Sequence, residues 1–361
     1  MTAAAATTVL IGTQKGLFRL RLPDGTLDGP WIAGYEILHA WLDPRRPGRG
    51  FAALRHPVWG AHLYATADDG ANWQTLPAPP SHPPGTVEPR LRAVWYLAPS
   101  RYRHRLYAGI DPAGLFRSED GGATWEPVPG INHHPTRPHW EPARGGFSLH
   151  SIAEDPHDPR RLYCAVSAGG CFRSDDDGHT WEPINRGVRA EHRPEPAPRV
   201  GHNVHRLLVH PAGGGRLYRQ CYNGVYRSDD AGAHWVEIST GLPSDFGYPV
   251  VSPVDRPDTV FVVPAGDPHM RTAPGGRLRV YRSDDAGATW RALTHGLPQE
   301  HAYVTVLRQC LAASPQARIL ALGTSGGHLF ISEDGGEQWR LVAGFLPRIT
   351  CVSVAVPEGL G

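Results

Sequence analysis

Histidines are the residues of this sequence whose type and spacing best suit chemistry. The chain has 20 of them, and three stand five or six residues before a proline in similar apolar runs, ILHAWLDP (37–44), SLHSIAEDP (148–156) and NVHRLLVHP (203–211). We therefore expect His39, His150 and His205 to occupy equivalent positions, with His301 a little upstream of a fourth such run. Imidazoles that converge from separate elements can bind a divalent or transition metal ion, and an open coordination position on that ion activates water or a substrate oxygen.

Two other interpretations of these histidines stay open. They could line a metal-free polar or catalytic channel. Each could instead bond a neighbouring backbone carbonyl, because a repeat protein duplicates residues by descent. Glu36 is a candidate carboxylate ligand or a surface-turn residue, and His133 and His139 are candidate ligands or residues of a solvated loop.

A second group of residues could transfer protons or hold an anion. His134, Tyr303 and Glu300 are the candidate proton-transfer groups, and Arg308 is the candidate anion anchor. Asp245 and Glu300 both follow a Gly-Leu-Pro turn, in LPSDFGYP (242–249) and LPQEHAY (297–303). A pair of carboxylates flanking a glycosidic bond can hydrolyse it. Stabilising the turn is the alternative role for each.

The elements that must position these residues are repeats. Six segments share the pattern Ser/Thr-x-Asp-x-Gly-x-x-Trp, and their tryptophans fall about 50 residues apart, at 73, 125, 181, 235, 290 and 339. The Asp and Ser side chains of such a segment can bond backbone amides within a tight hairpin turn, and its Gly can adopt a positive φ. Short apolar runs precede each segment, so each period predicts four strands, which is typical of a β-propeller blade.

The motif resembles the Asp box, or BNR repeat, of a β-propeller superfamily. That superfamily includes sialidases and sortilin-type receptors, xyloglucan-cleaving glycosidases, bacterial glycosyl-hydrolase-like proteins and a photosystem-assembly factor. The resemblance covers nearly the whole chain and implies the fold, with the box on the blade edge, away from the active sites of the family.

A sialidase resemblance implies an Arg triad, a Tyr–Glu nucleophile pair and an Arg-Ile-Pro segment near the start. Arg92, Arg144 and Arg308 are the triad candidates, and Tyr303 with Glu300 is the candidate pair. However, the N-terminal part reads GLFRLRLPDG (16–25), without Arg-Ile-Pro.

The fold class that these patterns predict is all-β, as one seven-bladed propeller over residues 1–361. The blades are expected at about 350–357 plus 7–34, 36–78, 91–130, 147–186, 203–240, 248–295 and 303–345. The first of these is closed by pairing of the N- and C-terminal strands, and six blades are the fallback if those strands do not pair. Long connections at 130–147, 186–203 and 265–279 fall on one face, so the channel mouth there is the predicted site.

Composition limits the partners. Lys and Arg total 36 against 35 Asp and Glu, a net charge of +1, which argues against nucleic acid or an acidic membrane surface. The apolar runs are too short to span a membrane, and the N-terminus does not have the pattern of a signal peptide. Five cysteines without motif spacing indicate free thiols in a reducing compartment. The expected location is the cytoplasm.

The sequence is consistent with three functions. The first is an enzyme or small-molecule-binding propeller with a His-lined, possibly metal-binding pocket and hydrolytic or lyase-type chemistry. The second is a sialidase-like glycoside hydrolase that uses carboxylates on the loop face. The third is a non-catalytic scaffold for a protein or glycan partner on that face.

Overall fold

The computed structural model describes residues 7–82, 90–142, 146–191 and 194–356. Seven sheets of four antiparallel strands form a β-propeller. The innermost strands of successive sheets contact each other around a closed ring. The predicted all-β, seven-bladed fold is therefore confirmed. Within the described ranges, no helix is long and apolar enough to cross a membrane.

The strands are numbered in chain order, and each blade runs from its innermost strand A to its outermost strand D. Blade 1 contains β4 (Glu36–Leu42), β5 (Gly50–His56), β6 (Gly60–Thr66) and β7 (Gln74–Thr75). Blade 2 contains β8 (Ala93–Pro99), β9 (Leu106–Asp111), β10 (Gly114–Ser118) and β11 (Glu126–Pro127). Blade 3 contains β12 (Leu149–Glu154), β13 (Leu162–Val166), β14 (Gly170–Ser174) and β15 (Glu182–Pro183).

The other blades follow the same order. Blade 4 contains β16 (Val204–Val209), β17 (Leu217–Cys221), β18 (Val225–Ser228) and β19 (Val236–Glu237). Blade 5 contains β20 (Gly247–Val251), β21 (Val260–Pro264), β22 (Val280–Ser283) and β23 (Arg291–Leu293). Blade 6 contains β24 (Leu311–Ala313), β25 (Leu320–Gly323), β26 (Leu329–Ser332) and β27 (Arg340–Ala343). One helical turn, α1 (Pro129–Asn132), and two 3₁₀ turns, Arg137–His139 and Pro274–Gly276, lie in loops.

Blade 7 joins the two ends of the chain. Its strands are β28 (Ile349–Ala355), β1 (Thr7–Thr13), β2 (Gly16–Leu22) and β3 (Leu27–Trp31). The pairing of β28 with β1 is antiparallel, with Gly12 opposite Cys351. A Cβ at Gly12 would lie 2.4 Å from Cys351 Sγ, so glycine permits the close approach. The predicted closure by terminal strands is confirmed, and it gives β1 a strand neighbour on both sides, β28 and β2, so that neither edge of β1 is open.

Each eight-residue motif forms the turn between strands C and D, as its sequence predicts. In blade 4, Ser228 Oγ donates to Asp230 Oδ1 (2.8 Å) and accepts from Gly232 N (2.9 Å). The same Asp230 oxygen accepts from His234 N (2.8 Å). Trp235 Nε1 donates to the Ile184 carbonyl of blade 3 (2.7 Å). The motif therefore closes its own hairpin and also contacts the preceding blade. We call the end of the propeller that carries these turns the box face, and the opposite end the mouth face.

Candidate functional site

Most of the inner strands carry a β-bulge near the mouth face. The pairing register of strands A and B skips one residue in five blades, namely Leu38, Trp95, His150, His205 and Thr350. In blade 5, Tyr248 and Pro249 together oppose Val263. A bulge bends its strand and turns the extra side chain to a new direction. Five of these bulge residues line one cavity at the mouth of the channel: Leu38, Trp95, His205, Tyr248 and Thr350.

The register corrects the predicted equivalence of the three histidines. His150 and His205 are bulge residues, but the bulge residue of blade 1 is Leu38. His39 comes one position later, at the place that Tyr96 and Arg206 take in their own blades. His39 stands five residues before its proline, whereas His150 and His205 stand six before theirs. In a strand, a difference of one residue reverses the direction of the side chain.

The mouth cavity has a volume of about 640 Å³. Rings of Trp95, Tyr222, Phe246 and Tyr248 form part of its wall. Ser167, Asn203, Gln14 and Thr350 supply hydrogen-bonding groups. A concave site with aromatic walls and a few convergent polar groups is typical of small-ligand pockets.

Four arginines line the same cavity: Arg55, Arg271, Arg308 and Arg348. Glu36 is the one carboxylate among the described lining residues. It accepts from Arg55 Nε at 2.6 Å, so that pair is neutral overall. The other three arginines leave the cavity with excess positive charge.

Arg308 is the predicted anion anchor, and the structure brings it into this cavity. Its guanidinium carbon lies 5.7 Å from the ring centroid of Trp95 and 5.9 Å from that of Tyr248. Its Nε is buried and has no hydrogen-bond partner. Burial is the main cause that lowers the pKa of Arg308 to about 10; Tyr248 opposes this shift, and the nearby Arg271 adds to it. Arg308 is therefore a cation held by aromatic faces.

A polar layer crosses the channel beneath the cavity. Arg206 Nη1 donates to Gln309 Oε1 (2.5 Å), and the Arg206 guanidinium lies 5.2 Å from the ring centroid of Tyr96. Tyr96 stacks on His39 with their centroids 4.2 Å apart. His39 Nδ1 accepts from Leu97 N (3.2 Å), and burial is the main cause that lowers the pKa of His39 to about 3, with Arg206 adding to it. His39 thus belongs to the layer below the cavity.

The two remaining inner histidines bond the next blade. His150 Nε2 lies 3.0 Å from the Val204 carbonyl, and His205 Nδ1 lies 2.6 Å from the Gly247 carbonyl. Both rings therefore carry the proton on the bonded nitrogen. Burial, reinforced by Arg308, lowers the pKa of His205 to about 3 and that of His150 well below its ordinary value.

The predicted metal ligands do not form a coordinating group. His301 is exposed, in a loop outside the channel wall. Across the described parts of the chain, no group of three or more His, Cys, Asp or Glu is placed to hold a metal ion. The described residues therefore do not fit a metal centre. Metal binding stays a prediction that elemental analysis of untagged protein would test.

Most of the predicted catalytic residues lie outside the cavity. His134 is buried, with Nε2 3.0 Å from the Trp181 carbonyl and Nδ1 2.7 Å from Thr136 Oγ1. Asp245 lies 3.4 Å from Arg189. Glu300 and Tyr303 are exposed. The structure does not bring these four side chains to one place.

Of the arginines predicted for a sialidase-type triad, Arg308 lines the cavity, and Arg92 is not among the described lining residues. Arg92 pairs with Asp111 at 2.6 Å, and Arg144 lies outside the described residues. Sequence reasoning missed Arg271 and Arg348. It also missed Trp95 and Tyr248, which stand in inner strands at the bulge position of His205. An alignment of all inner strands, rather than of those with histidine, is the signal that would have found them.

The chain was compared with known proteins, and no family model matches it. A xyloglucanase from Acetivibrio thermocellus is 28% identical over 216 residues, which cover 52% of this chain and 24% of the relative. An oligoxyloglucan-reducing end-specific xyloglucanase from Emericella nidulans is 26% identical over 284 residues, 69% of this chain and 33% of the relative. The chain thus matches about a quarter to a third of the length of these curated relatives.

Solved structures show the same fold. The GH74 xyloglucanase from Xanthomonas campestris matches with a TM-score of 0.68 at 18% identity, over 94% of this chain and 53% of that chain. A YCF48 structure bound to D1 peptide matches with a TM-score of 0.56 at 15% identity, over 94% and 85% of the two chains. At these identities the structural likeness shows the fold alone. The similarity to glycoside hydrolases rests on the sequence matches to xyloglucanases.

Proposed function

We propose that the protein binds a saccharide in the mouth cavity. The observation that carries this proposal is the wall built by Trp95, Tyr222 and Tyr248 beside convergent polar groups. The C–H faces of a sugar ring pack well on aromatic rings, while its hydroxyls need hydrogen-bond partners. The sequence matches to xyloglucanases agree with a glycan as the ligand class.

Exposed rings on the same face extend this surface. Trp59 is 66% exposed, Tyr303 62% and Phe345 fully exposed. They lie in a B–C turn and in two D–A connections, which open on the mouth face. Large exposed rings on a soluble protein mark interaction sites when they gather on one surface. We infer that they extend the binding surface for a chain longer than the cavity holds.

The geometry favours recognition over cleavage. Most glycoside hydrolases use two carboxyl groups on either side of the bond that they cleave. Glu36 is the sole carboxylate that the described lining offers, and it is bonded to Arg55. Asp245 is held by Arg189 and lies outside the cavity. A carboxylate pair for hydrolysis is therefore not assembled in the described cavity.

The test is a binding titration with xyloglucan and other oligosaccharides by calorimetry, with reducing-sugar release measured in parallel. We expect binding without cleavage, and a loss of up to about tenfold in affinity in the Trp95→Ala variant, because one ring face contributes up to about 1.5 kcal/mol. Tyr102→Ala, on the box face, is the matched aromatic control. Saccharide binding unaffected by Trp95→Ala would refute this site, and release of reducing ends would restore the hydrolase interpretation.

A second candidate is peptide binding at the same mouth. It is favoured by the YCF48 structure bound to D1 peptide, which matches most of both chains. A competition experiment between peptides and saccharides distinguishes the two candidates. If peptides, but no saccharides, bind and the Trp95→Ala variant weakens them, the peptide-binding function replaces the saccharide-binding one.

A further inference from the structure

We propose that the saccharide bound in the mouth cavity is acidic, and that Arg308, with Arg271 and Arg348, holds the carboxylate of a hexuronate residue. This inference rests on the proposed saccharide binding and adds the chemical class of the ligand. It is argued from the charges and contacts inside the cavity.

Arg308 is a half-buried charge, and the described residues supply no counter-ion for it. Trp95 and Tyr248 face its guanidinium, and Nε makes no hydrogen bond. In the described parts of the chain, it forms no ion pair with a carboxylate. Partial desolvation of a cation is costly unless an anion joins it. A carboxylate can accept two parallel hydrogen bonds from one guanidinium, so it matches this group in shape as well as charge.

Arg271 is held beside Arg308 by its loop. Its Nε donates to the Pro268 carbonyl (2.9 Å), while its backbone is fixed by bonds from its N to Asp267 O (2.8 Å) and from Thr305 Oγ1 to its carbonyl (2.7 Å). Its φ is 57°, a left-handed conformation that a non-glycine residue adopts at a cost and that clusters at ligand sites. The loop thus fixes a second cation at the cavity.

Arg348 completes the group from a third blade connection. It directly precedes β28, and its carbonyl accepts from Gln14 N (3.0 Å). Its side chain lines the cavity and has no ion-pair partner in the ranges that the structure covers. Arg271, Arg308 and Arg348 come from blades 5, 6 and 7, so the charge is concentrated on one side of the channel.

The other titratable groups of the cavity do not neutralise these three arginines. Glu36 forms an ion pair with Arg55. His205 has a pKa of about 3 and is uncharged at neutral pH. Burial raises the pKa of Tyr248, so that its hydroxyl stays protonated and adds no negative charge. A neutral glycan such as xyloglucan would leave the three cations uncompensated, whereas a uronate adds the missing anion.

The experiment compares matched ligands that differ in the carboxylate. Trigalacturonate, triglucuronate and trimannuronate are titrated by calorimetry, each beside its methyl ester and its neutral trisaccharide. At least one acid is expected to bind about tenfold or more tightly than its ester, as a charge-assisted hydrogen bond implies, and the advantage should shrink with added salt.

Variants assign the effect to the arginines. Arg308→Gln should remove the advantage of the acid over its ester, and Arg348→Gln should reduce it. Arg160→Gln is the matched control, since Arg160 is an exposed arginine on the box face and its removal should change nothing. Thermal unfolding of each variant verifies folding, and Arg348→Gln keeps the test valid if Arg308→Gln does not fold.

The possible results separate the two proposals. If esters and neutral trisaccharides bind as tightly as the acids, saccharide binding stands and the acidic-ligand inference is overturned. If no saccharide binds but citrate or a peptide carboxylate binds in an Arg308-dependent manner, saccharide binding itself is overturned. If the acid advantage persists in both arginine variants, the carboxylate site is elsewhere and the assignment to Arg308 fails.

Discussion

Arginines at the two faces of this propeller have opposite surroundings. On the box face, Arg227 Nε donates to Asp229 (3.0 Å), and its Nη1 donates to the Ala286 carbonyl of the next blade (2.9 Å). Arg173 repeats the arrangement with Asp175 and Ala231. At the mouth, Arg308 has two ring faces and a buried Nε without a partner. The paired arginines of the box face therefore link neighbouring blades. We propose that the unpaired arginine at the mouth binds a ligand.

The titratable groups show the same contrast. On the box face, hydrogen bonds from Thr289 and Ser283 lower the pKa of Asp285 to about 2, which stabilises its charged form. At the mouth, burial lowers the pKa of His205 to about 3, which stabilises its neutral form. Acid should therefore affect the mouth face first.

The largest predicted effect is acid destabilisation that begins at the mouth. The pKa of His205 is about 3 when folded and ordinarily about 6.5, so below pH 6.5 the unfolded chain binds a proton that the folded chain excludes. Stability is complete above that pH and falls toward pH 3, by up to about 1.4 kcal/mol per pH unit for each such histidine. The box carboxylates lose their contribution only below their ordinary pKa of 3.8.

Urea unfolding between pH 7.5 and pH 4 measures this slope. His205→Asn should flatten it, and His179→Asn, an exposed box-face histidine, should not. A free energy of unfolding that stays constant down to pH 4 would contradict the buried neutral state of the mouth histidines.

The next effect concerns a single box turn. Asp230→Ala removes the acceptor of bonds from Ser228 Oγ and His234 N, both 2.8 Å. Because this carboxylate is partly exposed, we expect a loss of about 1 to 2 kcal/mol, measured by urea unfolding, with unchanged ligand affinity. Asp255→Ala, in an exposed turn, is the control. A change in affinity without a change in stability would show that the box face takes part in binding.

A smaller effect distinguishes the two kinds of arginine directly. Arg227→Gln should lower the free energy of unfolding by about 1 kcal/mol, because it breaks an ion pair and an inter-blade hydrogen bond. Arg308→Gln should leave it unchanged or raise it slightly, because it removes a half-buried charge that no described carboxylate pairs with. If Arg308→Gln is the more destabilising of the two variants in the same urea titration, Arg308 stabilises the fold, and the contrast between the two faces is contradicted.

The smallest effect is expected from the thiols of the blade interior. All five cysteines are free and buried, and burial raises the pKa of Cys171 to about 12. Because the thiolate is the reactive form, we expect no thiol of the native protein to react with a disulfide reagent at pH 8, while the unfolded chain reacts fully. Rapid reaction of a native thiol would show that one face opens into the interior.

The sequence predicts some parts of the site and not others, and the reason is geometric. Arg308 and His205 were predicted for the mouth, because Arg308 stands just before an inner strand and His205 lies within one. The predicted role of Asp245 and Glu300 as a pair depended on loop paths, and sequence spacing does not determine those. His39 was misplaced because it stands five residues before its proline, whereas His150 and His205 stand six before theirs, and in a strand one residue reverses the direction of the side chain.

The repeated box determined six of the seven blades almost by itself, because each box specifies its own turn through contacts within eight residues. The seventh blade has no such box and was predicted from the strand pattern at the two ends of the chain. What the box could not determine is which side chains meet at the mouth. Arg271, Arg308 and Arg348 lie in three connections of different length, and they line one cavity only because the ring closes. That no carboxylate of the described residues pairs with Arg308 is likewise a property of the assembled channel. Only the tertiary structure decides whether a charge has a partner, because that depends on residues distant in sequence.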